Sequence, residues 1–198
     1  MRNPTKHYVK NKNHVPPWIL FKNANFSDCI NFYSFLKPTE KDAMYDTIVN
    51  IKFDDGQSKK DTFFKSLIIV RKFRNVIAHN LKFITFKCSK KESLILKYLL
   101  PAFSGSLIKS SDLQHKRSLN DIYSMILSII ILLHDELLIV EFLNELIDFA
   151  QITSKNSSGI DMSPFVNRYL NITNLPLDLS KRLGVYRNSI ISKDDIEQ

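Results

Sequence analysis

Apolar residues recur along this chain at three- and four-residue spacings, the repeat of a helix and not the two-residue repeat of a strand. The strongest stretch starts at Phe63. Phe63, Phe64, Leu67, Ile68 and Ile69 leave almost no polar side, which is how a helix buried among others reads. Past Val70 the pattern splits. Val70, Phe73, Val76 and Ile77 stay on one side, while Arg71, Arg74, Asn75 and His79 gather on the other. With Arg74 at the origin of a helical wheel, Arg71 falls near about 60°, Asn75 near about 100° and His79 near about 140°. The helix is expected to be capped by Asp61 and to continue to about Asn80.

The same spacing predicts the rest. Pro17 suits the first turn of a helix through about Ala24, with Trp18, Leu20 and Phe21 as core. Ser27 or Asp28 caps a second helix to Leu36. Pro38 and Thr39 open a third to about Ile51, with Thr39 to Asp42 as an Asp-ended capping box. Residues 53–60 read as a turn-rich loop, where Asp54 and Asp55 favour a turn over a metal for want of a third ligand. Residues 81–88 alternate and suggest a short extended piece. A helix over 93–100 ends near Pro101, and a Ser-rich loop covers 103–116. Two long helices follow, 118–134 and 135–152, the second with Leu138, Phe142, Leu146 and Phe149 on one stripe. At their join His134, Asp135 and Glu136 suit capping better than catalysis. A flexible linker over 153–159 precedes a helix to about Leu170, a last helical turn or two over 176–183 and a polar tail from Ser189. The fold class is all-α. The expected organisation is a flexible lead-in over 1–13, one helical domain over 14–152, and a C-terminal helical extension over 160–198 packed on it.

Composition adds little to this, but charge adds something. Residues 1–120 hold 22 Lys/Arg and 9 Asp/Glu, net +13, and residues 121–198 hold 6 and 11, net −5. A basic half that includes the Arg/His helix points to a polyanion partner, against the plainer reading of a solvated lysine surface. Cys29 and Cys88 form no CxxC and no metal spacing, so they read as free thiols in a reducing cytoplasm. The first residues carry no signal-peptide pattern, and the longest apolar run, Met125 to Leu133, is too short to span a bilayer. No membrane association, metal or cofactor is expected.

The candidate chemistry lies on the polar side of the central helix. Exposed helices ordinarily mix Glu with Lys, and a solvated face is the common reading of Arg and His. Here two arginines, an amide and an imidazole gather without a carboxylate. Arg binds phosphate oxygens and His moves a proton near neutral pH. Asn75 lies one turn before His79, within reach of orienting its ring.

Arg74-Asn75-Val76-Ile77-Ala78-His79 resembles the R-N-x-x-A-H form of the Arg/His motif of HEPN domains. Upstream, His14-Val15-Pro16-Pro17-Trp18-Ile19-Leu20-Phe21 resembles the P-P-W-(V/I)-L-F-E segment of the Abi-like (AbiD/AbiF) family of phage abortive infection, and Asn25-Phe26-Ser27 fills the place of the break that follows it there. The resemblance runs from His14 to about Phe149. Lys22 stands where many relatives carry Glu, and Asn80-Leu81-Lys82 replaces the usual residues after the motif His. The family's longer N-terminal region has no counterpart before His14.

The resemblance implies a HEPN-like helical bundle and a metal-independent endoribonuclease. Arg74, Asn75 and His79 would be catalytic, with Arg71, Lys72 and Lys82 guiding RNA. The site would be composite in a homodimer, and the products would carry 2′,3′-cyclic phosphate and 5′-hydroxyl ends. An antitoxin or phage protein is a possible further partner. The competing class is a non-catalytic HEPN-like module that binds RNA or protein. A DNA-binding regulator is a weaker third, since no helix-turn-helix pattern with a Gly turn is present.

Overall fold

The motif helix lies in the larger of two units into which the computed structural model divides the chain, Met1–Lys41 and Asp42–Gln198. The structure describes residues 4–16, 18–19, 22, 24–49, 51–53, 55–103, 105–152 and 163–194. Among these there are ten α-helices, one 3-10 turn and no sheet, so the all-α expectation holds. The linker over 153–159, together with Pro17, Leu20, Phe21 and Asp54, lies outside the described residues.

In the first unit, the expected lead-in is helical as α1, Pro4–Lys12. Asn11 bonds the His7 ring four residues back at 3.0 Å. Lys10 and Lys12 face the helix's negative end, and Asn13 closes it in the left-handed region at φ 53°. The backbone is helical again at Trp18, Ile19 and Lys22. Trp18 is 69% exposed and not core.

Helix α2, Phe26–Phe35, is capped by Asn25 in place of Ser27 or Asp28. The Asn25 side chain accepts from Asp28 N–H at 3.0 Å, and Asp28 reaches back to Asn25 N–H at 2.9 Å, a full capping box. Its buried residues are Ile30 and Tyr33. Helix α3, Pro38–Ile48, is closed at its start by Glu40, which accepts from Lys37 N–H at 2.8 Å. The expected box from Thr39 is thus shifted back two residues, because Pro38 already occupies the first helical position.

In the second unit, α4 spans Gly56–Ala78 and begins earlier than expected. Asp55, not Asp61, is the cap: it accepts from Ser58 N–H and from Ser58 Oγ, both at 2.7 Å. These bonds hold the Asp55 carboxyl below its ordinary range. Phe63, Ser66, Ile69, Phe73 and Val76 are buried along one stripe, and Tyr45 of α3 meets Phe63 edge-on at 5.1 Å.

Residues 81–88 are not a strand; they turn, with Phe86 N–H bonded to Phe83 O at 3.1 Å. The turn folds Phe86 edge-on to Phe73 at 5.0 Å. After the 3-10 turn Lys90–Glu92 come α5, Leu96–Ala102, and α6, Ser110–Gln114, a short helix inside the expected Ser-rich loop. Helix α7, Ile122–Leu132, capped by Asp121, makes the most extensive helix pairing of the described residues, with α4.

Helix α8, Glu136–Ile152, pairs with α10, Leu179–Asp194, which is far longer than the turn or two expected. Leu183 and Ile190 are buried along it, so the packing carries the helix through a polar sequence. The buried stripe of α8 is Ile139, Leu143 and Ile147, one residue on from the expected one; Leu138 and Phe149 are exposed. Phe142, Leu146 and Phe149 instead line an apolar cavity of about 550 Å³ with residues of α7 and of α9, Ser163–Ile172.

Candidate functional site at the end of α4

The last turns of α4 present the sequence-predicted residues in an ordered frame. Burial of Phe73 and Val76 anchors one side of the helix, leaving Arg74 and His79 exposed on the other. The helix stops at Ala78 with His79 as its C-cap. Asn80 then adopts φ 52°. Asn80 N–H bonds Ile77 O at 3.0 Å and Leu81 N–H bonds Val76 O at 2.9 Å, the two bonds of a Schellman turn. His79 N–H itself bonds Asn75 O at 3.0 Å. The imidazole is therefore placed by backbone bonds, and Asn80 supplies the left-handed residue that such a turn requires.

Asn75 does not orient the His79 ring. Its side-chain oxygen accepts from Arg74 Nη1 at 3.2 Å. Among the described residues the exposed His79 ring makes no side-chain hydrogen bond. The structure brings together Arg74 and Asn75 as a guanidinium–amide pair, with His79 one turn on.

The three expected RNA-guiding cations differ. Lys82 is exposed just past the turn, and Arg71 is half-buried on the helix. Lys72 is bound to Glu92 of the 3-10 turn at 2.6 Å. Glu92 also accepts from Ser89 N–H at 3.1 Å and Ser89 Oγ at 2.8 Å. The Lys72 hydrogen bond, outweighing partial burial, holds the Glu92 carboxyl below its ordinary range. A depressed carboxyl stabilises above its unfolded value, and that contribution is lost as pH falls through the folded value. The Lys72 anchor is thus intact at neutral pH and released in acid.

Glu92 and Asn80 escaped the sequence reading, although both left a signal. Ser89-Lys90-Lys91-Glu92 is a capping-box pattern, and Asn directly after a periodic stretch marks a helix stop. Of the apolar residues that follow the motif, Ile84 is 38% exposed, Phe83 is half-buried and Phe86 is turned to the core against Phe73. Ile77 and Leu81, 50% and 59% exposed, join Ile84 as apolar surface around His79.

Elsewhere, a polar cluster ties α10 to the segment before α7. The Arg182 side chain, 6% exposed, donates to Asp112 at 2.5 and 3.3 Å, to Asp178 at 2.7 Å and to Leu107 O at 3.0 Å. Four of the five guanidinium N–H groups are bonded within the protein, which marks the cluster as structural.

Cys29 is exposed and Cys88 buried, both free; burial pushes the Cys88 thiol up to about 11. Among the described residues no three His, Cys, Asp or Glu side chains gather to hold a metal ion, and no helix is long and apolar enough to cross a membrane.

Compared with known families, the chain matches the model described as Abi-like protein over residues 1–85, a span that includes both the Pro-Pro-Trp segment and the whole Arg/His motif. The Abi-like resemblance read from the Pro-Pro-Trp segment agrees with this match, and the family suggests phage abortive infection. No curated protein and no solved structure matches the chain.

Proposed function

We propose, for a chain that is Abi-like over residues 1–85, that the end of α4 is the active site of a metal-independent HEPN-type endoribonuclease acting in phage defence. One observation carries this reading. An exposed guanidinium–amide pair and an exposed imidazole stand one turn apart at the end of a helix whose other side is buried. That is a rigid platform for a phosphate and a proton.

Cleavage by internal attack forms a bond from the ribose 2′-oxygen to phosphorus and breaks the bond to the 5′-oxygen. A base must take the 2′-hydroxyl proton and an acid must give one to the leaving oxygen, from opposite sides. One α4 supplies one such group. Two copies related by a two-fold axis supply both, and isologous dimers are the commonest assemblies. Each His79 then takes one role, and each Arg74 offsets the charge building on the phosphorane. Asn75 holds the Arg74 guanidinium. Arg71 and Lys82 steer RNA, while Lys72 is drawn to Glu92 and contributes less. Ile77, Leu81 and Ile84 form the apolar rim of the interface. DNA lacks the 2′-hydroxyl and is bound without being cut.

A non-catalytic module that binds RNA, an antitoxin or a phage protein is the second reading. It is favoured by the Asn75 side chain, which is bonded to Arg74 and leaves the His79 ring without an orienting partner.

Mixing separates the two. Purified His79→Ala and Arg74→Ala proteins are each expected to be inactive on RNA in EDTA, and excess His79→Ala protein to suppress the parent beyond simple dilution, because a hetero-dimer holds only one of the two imidazoles that the reaction needs. Activity that vanishes with EDTA and returns with magnesium, or a monomer that cuts at full rate, contradicts the shared acid–base site.

A further inference from the structure

The first unit exposes large rings that the cleavage reading leaves unused. Phe35 is 84% exposed, Trp18 69% and Phe32 46%. On α2, Phe32 and Phe35 are three residues apart, on the side opposite Ile30 and Tyr33, which are each 5% exposed. Helix α2 thus carries aromatic residues on two sides, one of them turned to solvent. Exposed rings of this size mark a binding surface more often than chance.

Charge narrows the partner. Residues 1–41 hold seven Lys/Arg and two Asp/Glu, net +5. Both acids are spent on helix capping: Asp28 accepts from Asn25 N–H and Glu40 from Lys37 N–H. Lys41 donates to Ser34 O at 3.0 Å, which holds its ammonium on the Tyr33 side of α2. Its Nζ lies 5.5 Å from the Tyr33 ring centre. Lys37 is exposed two residues beyond Phe35. A bare ring beside an ammonium takes a base and its phosphate together, which is how single strands are held without sequence reading. A duplex keeps its base faces stacked away from such rings. A lipid surface fits less well, because the exposed side of α2 also carries Asp28 and Asn31 and so lacks the continuous apolar face of an interfacial helix.

We propose that Phe32 and Phe35 on α2, with the exposed Lys37 just beyond the helix and Trp18 in the same unit, form a stacking surface for single-stranded RNA. The inference rests on the RNA reading of α4 for its choice of nucleic acid. It adds that the substrate is unpaired and is gripped by the first unit.

The test is binding of the full chain to a fluorescent single-stranded 2′-O-methyl oligoribonucleotide, which lacks the attacking hydroxyl and stays intact. Phe35→Ala and Trp18→Ala are each expected to weaken binding about tenfold. Phe35→Leu should fail like Phe35→Ala, and Phe35→Trp should bind as well as the parent. The parent should prefer the single strand over its duplex. Thermal melts of each variant exclude unfolding, which a residue so exposed does not provoke. Unchanged affinity in the Trp18→Ala/Phe35→Ala double variant overturns the proposal. So does loss of binding to phosphatidylserine vesicles with RNA affinity intact, which would assign the rings to a membrane. The two readings fail separately. If the ring variants bind normally while His79→Ala stops cleavage, only the stacking surface is wrong. If the ring variants lose RNA while no version cuts it, only the nuclease reading is wrong.

Discussion

Replacing His79 with Ala is expected to lower the rate of RNA cleavage by about 10²–10⁴-fold, with far-UV circular dichroism unchanged and stability within about 0.5 kcal/mol of the parent. The large loss follows from the role. In the proposed mechanism the imidazole supplies base in one copy and acid in the other, so the substitution removes both proton transfers at once. The small structural effect follows from its place. His79 is exposed, its ring makes no side-chain hydrogen bond among the described residues, and the turn that holds it is built from backbone bonds that Ala also makes. Arg74→Lys should fall between parent and His79→Ala, since Lys keeps the charge but loses the planar fork and the bond to Asn75. Cleavage of a labelled RNA by purified variants checks both. Full activity in His79→Ala ends the catalytic assignment.

Arg182→Ala should have the opposite profile, a large loss of stability of about 3–5 kcal/mol. The residue is 6% exposed and its guanidinium bonds Asp112, Asp178 and the Leu107 carbonyl. Burial alone would raise the Asp112 carboxyl, yet the Arg182 hydrogen bond and the bond from Lys109 N–H outweigh it and hold the group below its ordinary range. Truncating Arg182 leaves Asp112 in a site built for an anion with its main partner gone. The pH sign follows: a depressed carboxyl contributes stability above its unfolded value, and this is lost as pH falls through the folded value. The parent should therefore lose stability in acid more steeply than Arg182→Ala. Urea unfolding at pH 7 and in mild acid measures both effects. Asp112→Asn on the Arg182→Ala background should recover part of the loss, because the stranded charge is gone.

These two residues also show what was legible in the sequence. His79 and Arg74 stand in a local pattern, a polar face interrupting an apolar repeat, and such a pattern survives without knowledge of the tertiary structure. Asp112 and Arg182 lie far apart in the chain, so nothing local marks either as the other's partner. The same division runs through the fold. Helices set by long apolar periodicity, α4, α7 and α8, were readable from spacing. Helix starts are less so: at α2 and α4 the expected caps, Ser27 or Asp28 and Asp61, lose to Asn25 and Asp55, because a cap is chosen by which side chain reaches the open N–H groups. Helix α10 was misread as short because its polar sequence is held by packing on α8, and packing is not a local property. Lys72 shows a similar limit at the site. Its charge was visible, but the Glu92 that binds it was not.

The central claim is that the 2′-hydroxyl of RNA attacks as one His79 takes its proton, while His79 of the second copy gives a proton to the leaving 5′-oxygen. Mass spectrometry of the ends left when purified protein cuts a defined single-stranded RNA in EDTA tests it most directly. The account predicts 2′,3′-cyclic phosphate on the upstream fragment and 5′-hydroxyl on the downstream one, with both products absent for His79→Ala and for RNA carrying a 2′-deoxy sugar at the cut. Fragments ending in 3′-hydroxyl and 5′-phosphate, or cleavage that persists across the 2′-deoxy position, would contradict it.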